Sequence, residues 1–132
     1  MKVKIDTKEK FHIITIQERH LSANMTEELN KEMLLFLEKD LKNVVLKMIE
    51  VKEIDELVAV SLVNIQQKFY DNNASFVVCE ISSAIEQYLD KLELLEMMNI
   101  TPTESEAWDI VQLEEIEREL LPPNPLKGGT IM

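Results

Sequence analysis

The side chains that could carry out chemistry are few, and their spacing suits no familiar reaction. Cys79 is the one cysteine, and His12 and His20 are the two histidines. A thiol nucleophile would need the fold to bring a histidine beside Cys79, whereas a lone cysteine ending an apolar strand is typical of a small core residue. A zinc site lacks its ligands, because neither histidine has a neighbouring cysteine or a His-x-x-x-His pattern. The sequence predicts no catalytic residue, no metal site and no cofactor.

Carboxylates are abundant, and they concentrate in two places. The first group lies beside a predicted strand end and consists of Glu50, Glu53, Asp55 and Glu56. It could bind a cation, but lysines interrupt it and its spacing fits no calcium loop. The second group crowds one predicted helix, a pattern typical of a solvated face, and consists of Glu114, Glu115, Glu117 and Glu119. Neither group specifies an enzyme.

The net charge is −11, and most of the excess lies in residues 79–132, which hold 12 acidic and 3 basic side chains. Such a chain repels phosphate backbones and anionic lipid headgroups, so we expect no nucleic-acid partner and no direct membrane insertion. The acidic surface is either a solvated face or a docking surface for a basic protein. The two glycines are Gly128 and Gly129, so the folded body has no glycine-rich phosphate loop.

The length of 132 residues fits one domain over residues 1–120. Residues 121–132 contain Pro122, Pro123 and Pro125, which stop helix formation, so we expect a flexible tail. No apolar run reaches the roughly 18 residues of a membrane-spanning helix. The first residues also lack the apolar centre of a signal peptide. With the single cysteine, these features predict a cytoplasmic protein.

The first third of the chain predicts two strands and a helix. Residues 3–5 and 11–16 are rich in β-branched side chains, and the lysine-rich stretch between them suggests a hairpin. Apolar side chains at helical spacing predict a helix over about 25–41, with Asn24 as its N-cap.

The middle of the chain predicts a strand, a helix and another strand. Residues 44–49 and 75–79 are short and apolar, as in buried strands. Between them, Asp55 is predicted to cap a second helix that ends near Tyr70. The predicted buried face of this helix consists of Val58, Leu62, Ile65 and Phe69.

The last third predicts two further helices around a short strand at residues 99–100. Ser83 with Glu86 forms a capping-box pattern for the third helix, and Thr103 with Glu106 forms one for the last helix. The order ββαβαβα, extended by a terminal βα, predicts an α/β fold. We expect a single layer of mixed β-sheet with four or five strands, packed with about four helices.

Three stretches of sequence resemble a known domain family. ITIQERHLSANMTEELNKEM (residues 14–33) is similar to the second strand, loop and first helix of STAS domains. VVLKMIEVKEIDELVAVSLVNI (residues 44–65) resembles the family's central strand, phosphorylation loop and second helix. SFVVCEISSAIEQYLDKLELLEMMNITPTESEAWDIV (residues 75–111) looks like the closing elements. The resemblance spans residues 3–118 and is to the STAS domains of anti-sigma factor antagonists.

The resemblance implies regulation by partner switching, in which an anti-sigma kinase phosphorylates a serine at the start of the second helix. The family pattern Asp-Ser-Ser-Gly falls here on residues 55–58, so Asp55 is retained and Leu57 takes the acceptor position. Leu57 has no hydroxyl, and we therefore expect no phosphate there. Ser61, one helical turn later, is the alternative phosphosite and is otherwise an ordinary helix residue.

Two glutamates depart from the family pattern. Glu56 either mimics phosphate in part or is a favourable acid near a helix N-terminus, worth roughly 0.3–1 kcal/mol. Glu93 stands where many members carry a glycine before the last strand.

An apolar surplus predicts the partner surface at the start of the second helix. The predicted partner-binding residues are Asp55, Glu56, Leu57, Val60 and Val63. The three apolar side chains among them project away from the predicted buried face. A half-exposed helix normally carries polar residues on those other sides. Contact with a neighbouring helix is the alternative account, and it is the stronger one for Val63.

The last helix carries two apolar sides. Its predicted core face consists of Ala107, Trp108, Ile110 and Val111. A second stripe, nearly opposite, consists of Leu113, Ile116 and Leu120. This stripe predicts self-association as a homodimer, unless a bend in the helix buries both sides.

These features together predict a non-catalytic protein-binding regulatory domain, similar to an anti-sigma factor antagonist and not phosphorylated at the usual position. The resemblance implies an anti-sigma factor with serine-kinase activity as the partner. A scaffold subunit of a sensory or transport assembly is the alternative, and a small thiol enzyme is the third.

Overall fold

The computed structural model describes residues 1–120; the predicted tail over residues 121–132 lies outside the described residues. The strands are β1 (Val3–Thr7), β2 (His12–Ile16), β3 (His20–Leu21), β4 (Val44–Lys47), β5 (Glu53–Ile54), β6 (Phe76–Cys79) and β7 (Ile100–Thr101). The helices are α1 (Thr26–Leu34), α2 (Glu56–Asp71), α3 (Ser83–Lys91) and α4 (Glu104–Leu120). The structure confirms the predicted mixed α/β fold.

The main sheet has five strands in the order β1-β2-β4-β6-β7. β1 is antiparallel to β2, and the other pairs are parallel. The carboxyl ends of the parallel strands therefore lie at one edge of the sheet, and α2 begins beyond that edge. β3 and β5 form a separate parallel pair, which the sequence did not predict because each is only two residues long.

Side chains of the central strands alternate between the two faces of the sheet. One row across the sheet is Ile14, Leu46 and Val78, and it contacts α1, α2 and α3. The neighbouring row is Ile13, Val45 and Val77, and it contacts α4. We call these the three-helix face and the single-helix face. The predicted buried face of α2 is confirmed, since its four residues are fully buried on the three-helix face.

The prediction for the first helix was too long. α1 ends at Leu34, and the chain continues as a 3-10 turn over Leu35–Glu38 before extending at Lys39. The tighter turn ends the helix so that the chain can turn back towards β4. Asn24 does not cap α1, because it lies in a preceding 3-10 turn and accepts a hydrogen bond from the hydroxyl of Ser22.

Two further details of the helices differ from expectation. The side chain that caps α3 belongs to Ser82 rather than Ser83: its hydroxyl oxygen accepts a bond of 3.2 Å from the amide of Ile85. Trp108 is half-exposed rather than in the core, because it lies about 100° around α4 from the buried Ala107. Its ring lies beside that of Phe11, tilted by 45° with 6.4 Å between the ring centroids.

Candidate partner-binding site

The start of α2 is fixed in place by the small β3–β5 pair. Leu21 lies beside Ile54 in this pair, and both side chains are buried in the core. The amide of Asp55 donates a hydrogen bond of 3.0 Å to the carbonyl of Leu21. Asp55 therefore occupies the N-cap position of α2 with an extended backbone, directly beside the segment that leads into α1.

The carboxylate of Asp55 does not cap its own helix. One oxygen lies 2.8 Å from Nε2 of His20, and the other accepts a bond of 2.7 Å from the amide of Ala23. Hydrogen bonds from His20 and Ala23 lower the pKa of Asp55, and the bond to Asp55 raises the pKa of His20. Glu53 lies 3.7 Å from the same ring nitrogen and adds to that rise. The retained aspartate thus ties the β3 segment to the start of α2.

Sequence reasoning missed His20 as a member of this site. His20 and Asp55 lie 35 positions apart, and no local motif links them. The only signal would have been the pairing of β3 with β5, which each two-residue strand is too short to reveal.

Two apolar side chains stand exposed in the first turns of α2. Leu57 is 53% exposed and Val60 is 37% exposed. The next position on this side is Asn64, which is polar and exposed, so the apolar patch is confined to the beginning of the helix. Ile49, also exposed, lies in the turn that follows β4 at the same edge of the sheet. Glu56 is exposed in the first turn of the helix, beside the patch.

Val63 lies apart from this patch. It is half-buried, packs against the core, and lines a groove of about 370 Å³ together with Gln66, Tyr70 and Met97. The structure therefore brings Asp55, Glu56, Leu57 and Val60 together and places Val63 on another side of α2.

The position that the sequence resemblance assigns to phosphorylation carries no acceptor. Leu57 supplies no oxygen, and the hydroxyl-bearing Ser61 is 6% exposed on the buried side of α2. A kinase has to reach the hydroxyl oxygen, so the burial of Ser61 argues against its use as the alternative phosphosite.

Cys79 has the environment of a core residue. Its side chain is fully buried at the end of β6, and burial raises the pKa of the thiol to about 12. The thiolate that a nucleophile needs is therefore scarce at neutral pH. Among residues 1–120, no group of three or more His, Cys, Asp or Glu side chains is arranged to hold a metal ion.

The acidic residues of α4 are not all solvated, contrary to expectation. Glu114 accepts bonds from Ser75 Oγ at 2.6 Å and from Asn99 Nδ2 at 3.1 Å. Glu115 accepts a bond of 2.9 Å from Nδ2 of Asn43. Asn43 and Ser75 directly precede β4 and β6, so these bonds attach α4 to the amino ends of the strands.

A comparison with domain families agrees with this arrangement of elements. The profile described as "STAS domain" matches residues 2–107. This chain belongs to the STAS domain family. The resemblance inferred from sequence is thereby confirmed over most of the chain. No curated protein sequence matches the chain closely enough to count as a relative.

Solved structures of anti-sigma factor antagonists share the fold of this STAS domain. A candidate anti-sigma factor antagonist from Thermotoga maritima is 20% identical, covers 83% of this chain and 94% of its own, and gives a TM-score of 0.71. A serine-to-glutamate variant of RsbS from Moorella thermoacetica is 20% identical, with 89% and 99% covered and a TM-score of 0.70. The anti-sigma factor antagonist SpoIIAA in its unphosphorylated form is 12% identical, with 84% and 96% covered and a TM-score of 0.66. Within residues 1–120, none of the helices is long and apolar enough to cross a bilayer.

Proposed function

We propose that this STAS domain is a non-catalytic regulatory protein of the cytoplasm that binds an anti-sigma factor with serine-kinase activity. The binding surface is the apolar pair Leu57 and Val60, with the carboxylates of Asp55 and Glu56 at its rim. One observation carries the proposal: two apolar side chains stand exposed at the start of α2, although Val58 and Ala59 already fill the core there. The similarity of the fold to anti-sigma factor antagonists supports the class of partner.

Binding at this surface does not depend on phosphate. A phosphate at the family position would add about two negative charges to an apolar contact and weaken it. Leu57 cannot receive that group, so the surface stays available to its partner. The carboxylate of Glu56 carries a single charge at the rim, and we assign it the role of a favourable acid in the first turn of α2.

The proposal is tested by affinity capture from the native cells, with wild type, Leu57→Asp, Val60→Asp and Tyr70→Asp as baits. Tyr70 is exposed near the other end of α2 and serves as the matched control. We expect wild type and the control to capture an ATP-binding anti-sigma kinase, and the two patch variants to lose it while keeping the wild-type melting temperature. Folded patch variants that capture the same protein would move the surface elsewhere. Transport or sensory proteins in place of the kinase would favour the scaffold alternative.

Phosphopeptide mapping of the protein from the same cells gives a second check. We expect no phosphate on α2. Stoichiometric phosphate on Ser61 would show that the switch has moved by one helical turn and that the helix opens to admit a kinase.

A further inference from the structure

α4 carries an apolar stripe that no part of the described chain covers. Leu113 is 54% exposed, Ile116 is 50% exposed and Leu120 is 77% exposed. Their spacing of three and four residues places them on one side of the helix. Ala107 and Val111 lie on the opposite side and are fully buried against the sheet. The stripe spans the eight residues 113–120, or about 10 Å of helix.

Polar bonds on the buried side fix the orientation of α4. Glu114 accepts bonds from Ser75 and Asn99, and Arg118 donates a bond of 3.3 Å to the same Ser75 hydroxyl. Rolling the helix to bury the stripe would break these bonds and expose Val111. The stripe is therefore a stable surface of the protein, and the bend that could have buried both sides of the helix is not present.

The rim of the stripe is acidic. Its exposed charged side chains on α4 are Asp109, Glu117 and Glu119. Residues 104–120 hold seven acidic side chains and one basic side chain, Arg118, which turns towards Ser75. Among the described residues, two lysines from other elements form ion pairs with α4: Lys10 contacts Glu115, and Lys47 contacts Glu104 in the first turn of the helix.

We propose that this stripe and its acidic rim bind a basic amphipathic helix of a second protein partner. Apolar side chains of such a helix would cover the stripe, and its lysines or arginines would meet Asp109, Glu117 and Glu119. A second copy of this chain is the poorer occupant, because pairing two α4 helices brings two acidic rims together. The self-association that the apolar spacing alone predicts thus becomes the competing outcome of the test.

The two surfaces lie on opposite sides of the sheet. α2 packs on the three-helix face, and α4 covers the single-helix face. A domain with this arrangement can hold one partner at α2 and another at α4 at the same time. The α4 proposal does not rest on the α2 surface, so either can fail without the other.

The test uses three synthetic helical peptides of about 18 residues. One has leucine on its apolar side and lysine elsewhere, one replaces every lysine with glutamate, and one keeps the lysines but replaces every leucine with glutamine. Fluorescence anisotropy of each labelled peptide is measured with four proteins. They are wild type, the stripe variant (Leu113→Ser with Ile116→Ser), the rim variant (Glu117→Gln with Glu119→Gln) and the control Leu57→Ser on the α2 surface.

We expect the leucine–lysine peptide alone to bind wild type. The stripe variant should weaken binding at least about tenfold, the rim variant should weaken it by a smaller factor, and the control should bind as wild type does. Three results would overturn the proposal: the glutamate peptide binds wild type as tightly as the leucine–lysine peptide does, the stripe variant binds the leucine–lysine peptide as tightly as wild type does, or that peptide does not bind wild type at all. Sedimentation of wild type and of Ile116→Ser measures self-association. If wild type is a dimer and Ile116→Ser is a monomer, the stripe binds a second copy of this chain instead.

Discussion

The two faces of the five-stranded sheet differ in how many apolar residues they bury. The three-helix face buries a continuous cluster of 22 residues, whereas the single-helix face buries seven, of which α4 contributes only Ala107 and Val111. α4 compensates with side-chain bonds to the residues that precede the strands, through Glu114, Glu115 and Arg118. One face is therefore stabilised by apolar burial, and the other depends in larger part on a few polar contacts.

This difference explains why each face can expose apolar side chains. On the three-helix face the core is complete without Leu57 and Val60, so these positions are free to serve binding. On the single-helix face α4 has one narrow buried side, and the whole opposite side of the helix meets solvent. We therefore expect substitutions in the two faces to lower the free energy of unfolding by different amounts.

The largest effect is expected for Leu62→Ala, in the buried side of α2. The substitution leaves a cavity in the larger cluster and should lower the free energy of unfolding by about 2–5 kcal/mol. Val111→Ala, its counterpart in α4, removes fewer buried carbon atoms and should cost about 1.5 kcal/mol. Urea denaturation of both variants measures the difference. Losses in proportion to the carbon atoms removed, three from Leu62 and two from Val111, would show that the two faces contribute alike.

A smaller effect is expected for Glu114→Gln, which replaces a carboxylate that accepts two hydrogen bonds. A glutamine at this position presents an amino group to one of the two donors, so we expect a loss of about 1 kcal/mol. Amide hydrogen exchange should quicken in α4 and stay unchanged in α2. Glu117→Gln, at an exposed position on the same helix, is the control. Uniform quickening in both helices would contradict a polar attachment specific to α4.

The smallest effect is expected from the exposed pair of His20 and Asp55. The pKa of His20 is raised above its ordinary value of 6.5, so its contribution is complete below that pH and is lost as pH rises through the folded-state pKa. The pKa of Asp55 is lowered below 3.8, so its contribution is present above that pH and is lost as pH falls through the folded-state pKa. The pair is therefore most stabilising between pH 3.8 and pH 6.5.

Melting temperatures of wild type and His20→Gln between pH 4 and pH 9 check this pair. The advantage of wild type should be largest in the mildly acidic range and should shrink towards pH 9. A difference that does not change with pH would show that the charge on His20 plays no part at this corner.

The sequence was sufficient for features that are local. The short apolar runs at β4 and β6 and the helical spacing of α2 were predicted because burial on a sheet imposes periods of about 2 and 3.6 residues. Glu93, which stands where the resemblance implies a glycine, adopts a left-handed backbone with φ of 61°, a conformation that glycine accepts more readily.

Other features depend on distant parts of the chain. The bond between His20 and Asp55 requires the β3–β5 pairing, and two-residue strands leave no periodic pattern. Glu114 follows the buried Val111 by three residues and so lies on the same side of α4, but its bond to Ser75, 39 positions away, could not be read from that spacing. Trp108 lies about 100° around α4 from the buried Ala107, and the sequence of the helix alone does not specify whether a side chain at that angle is covered.

Hydrogen exchange of the complex shows whether the partner binds at the start of α2. Amide exchange is measured across residues 1–120 for the free protein and for the protein saturated with the partner that affinity capture identifies. We predict slower exchange in the first two turns of α2 and in the neighbouring β3 segment, with α4 unchanged. Slowing confined to other elements, with the start of α2 exchanging as in the free protein, would contradict binding there.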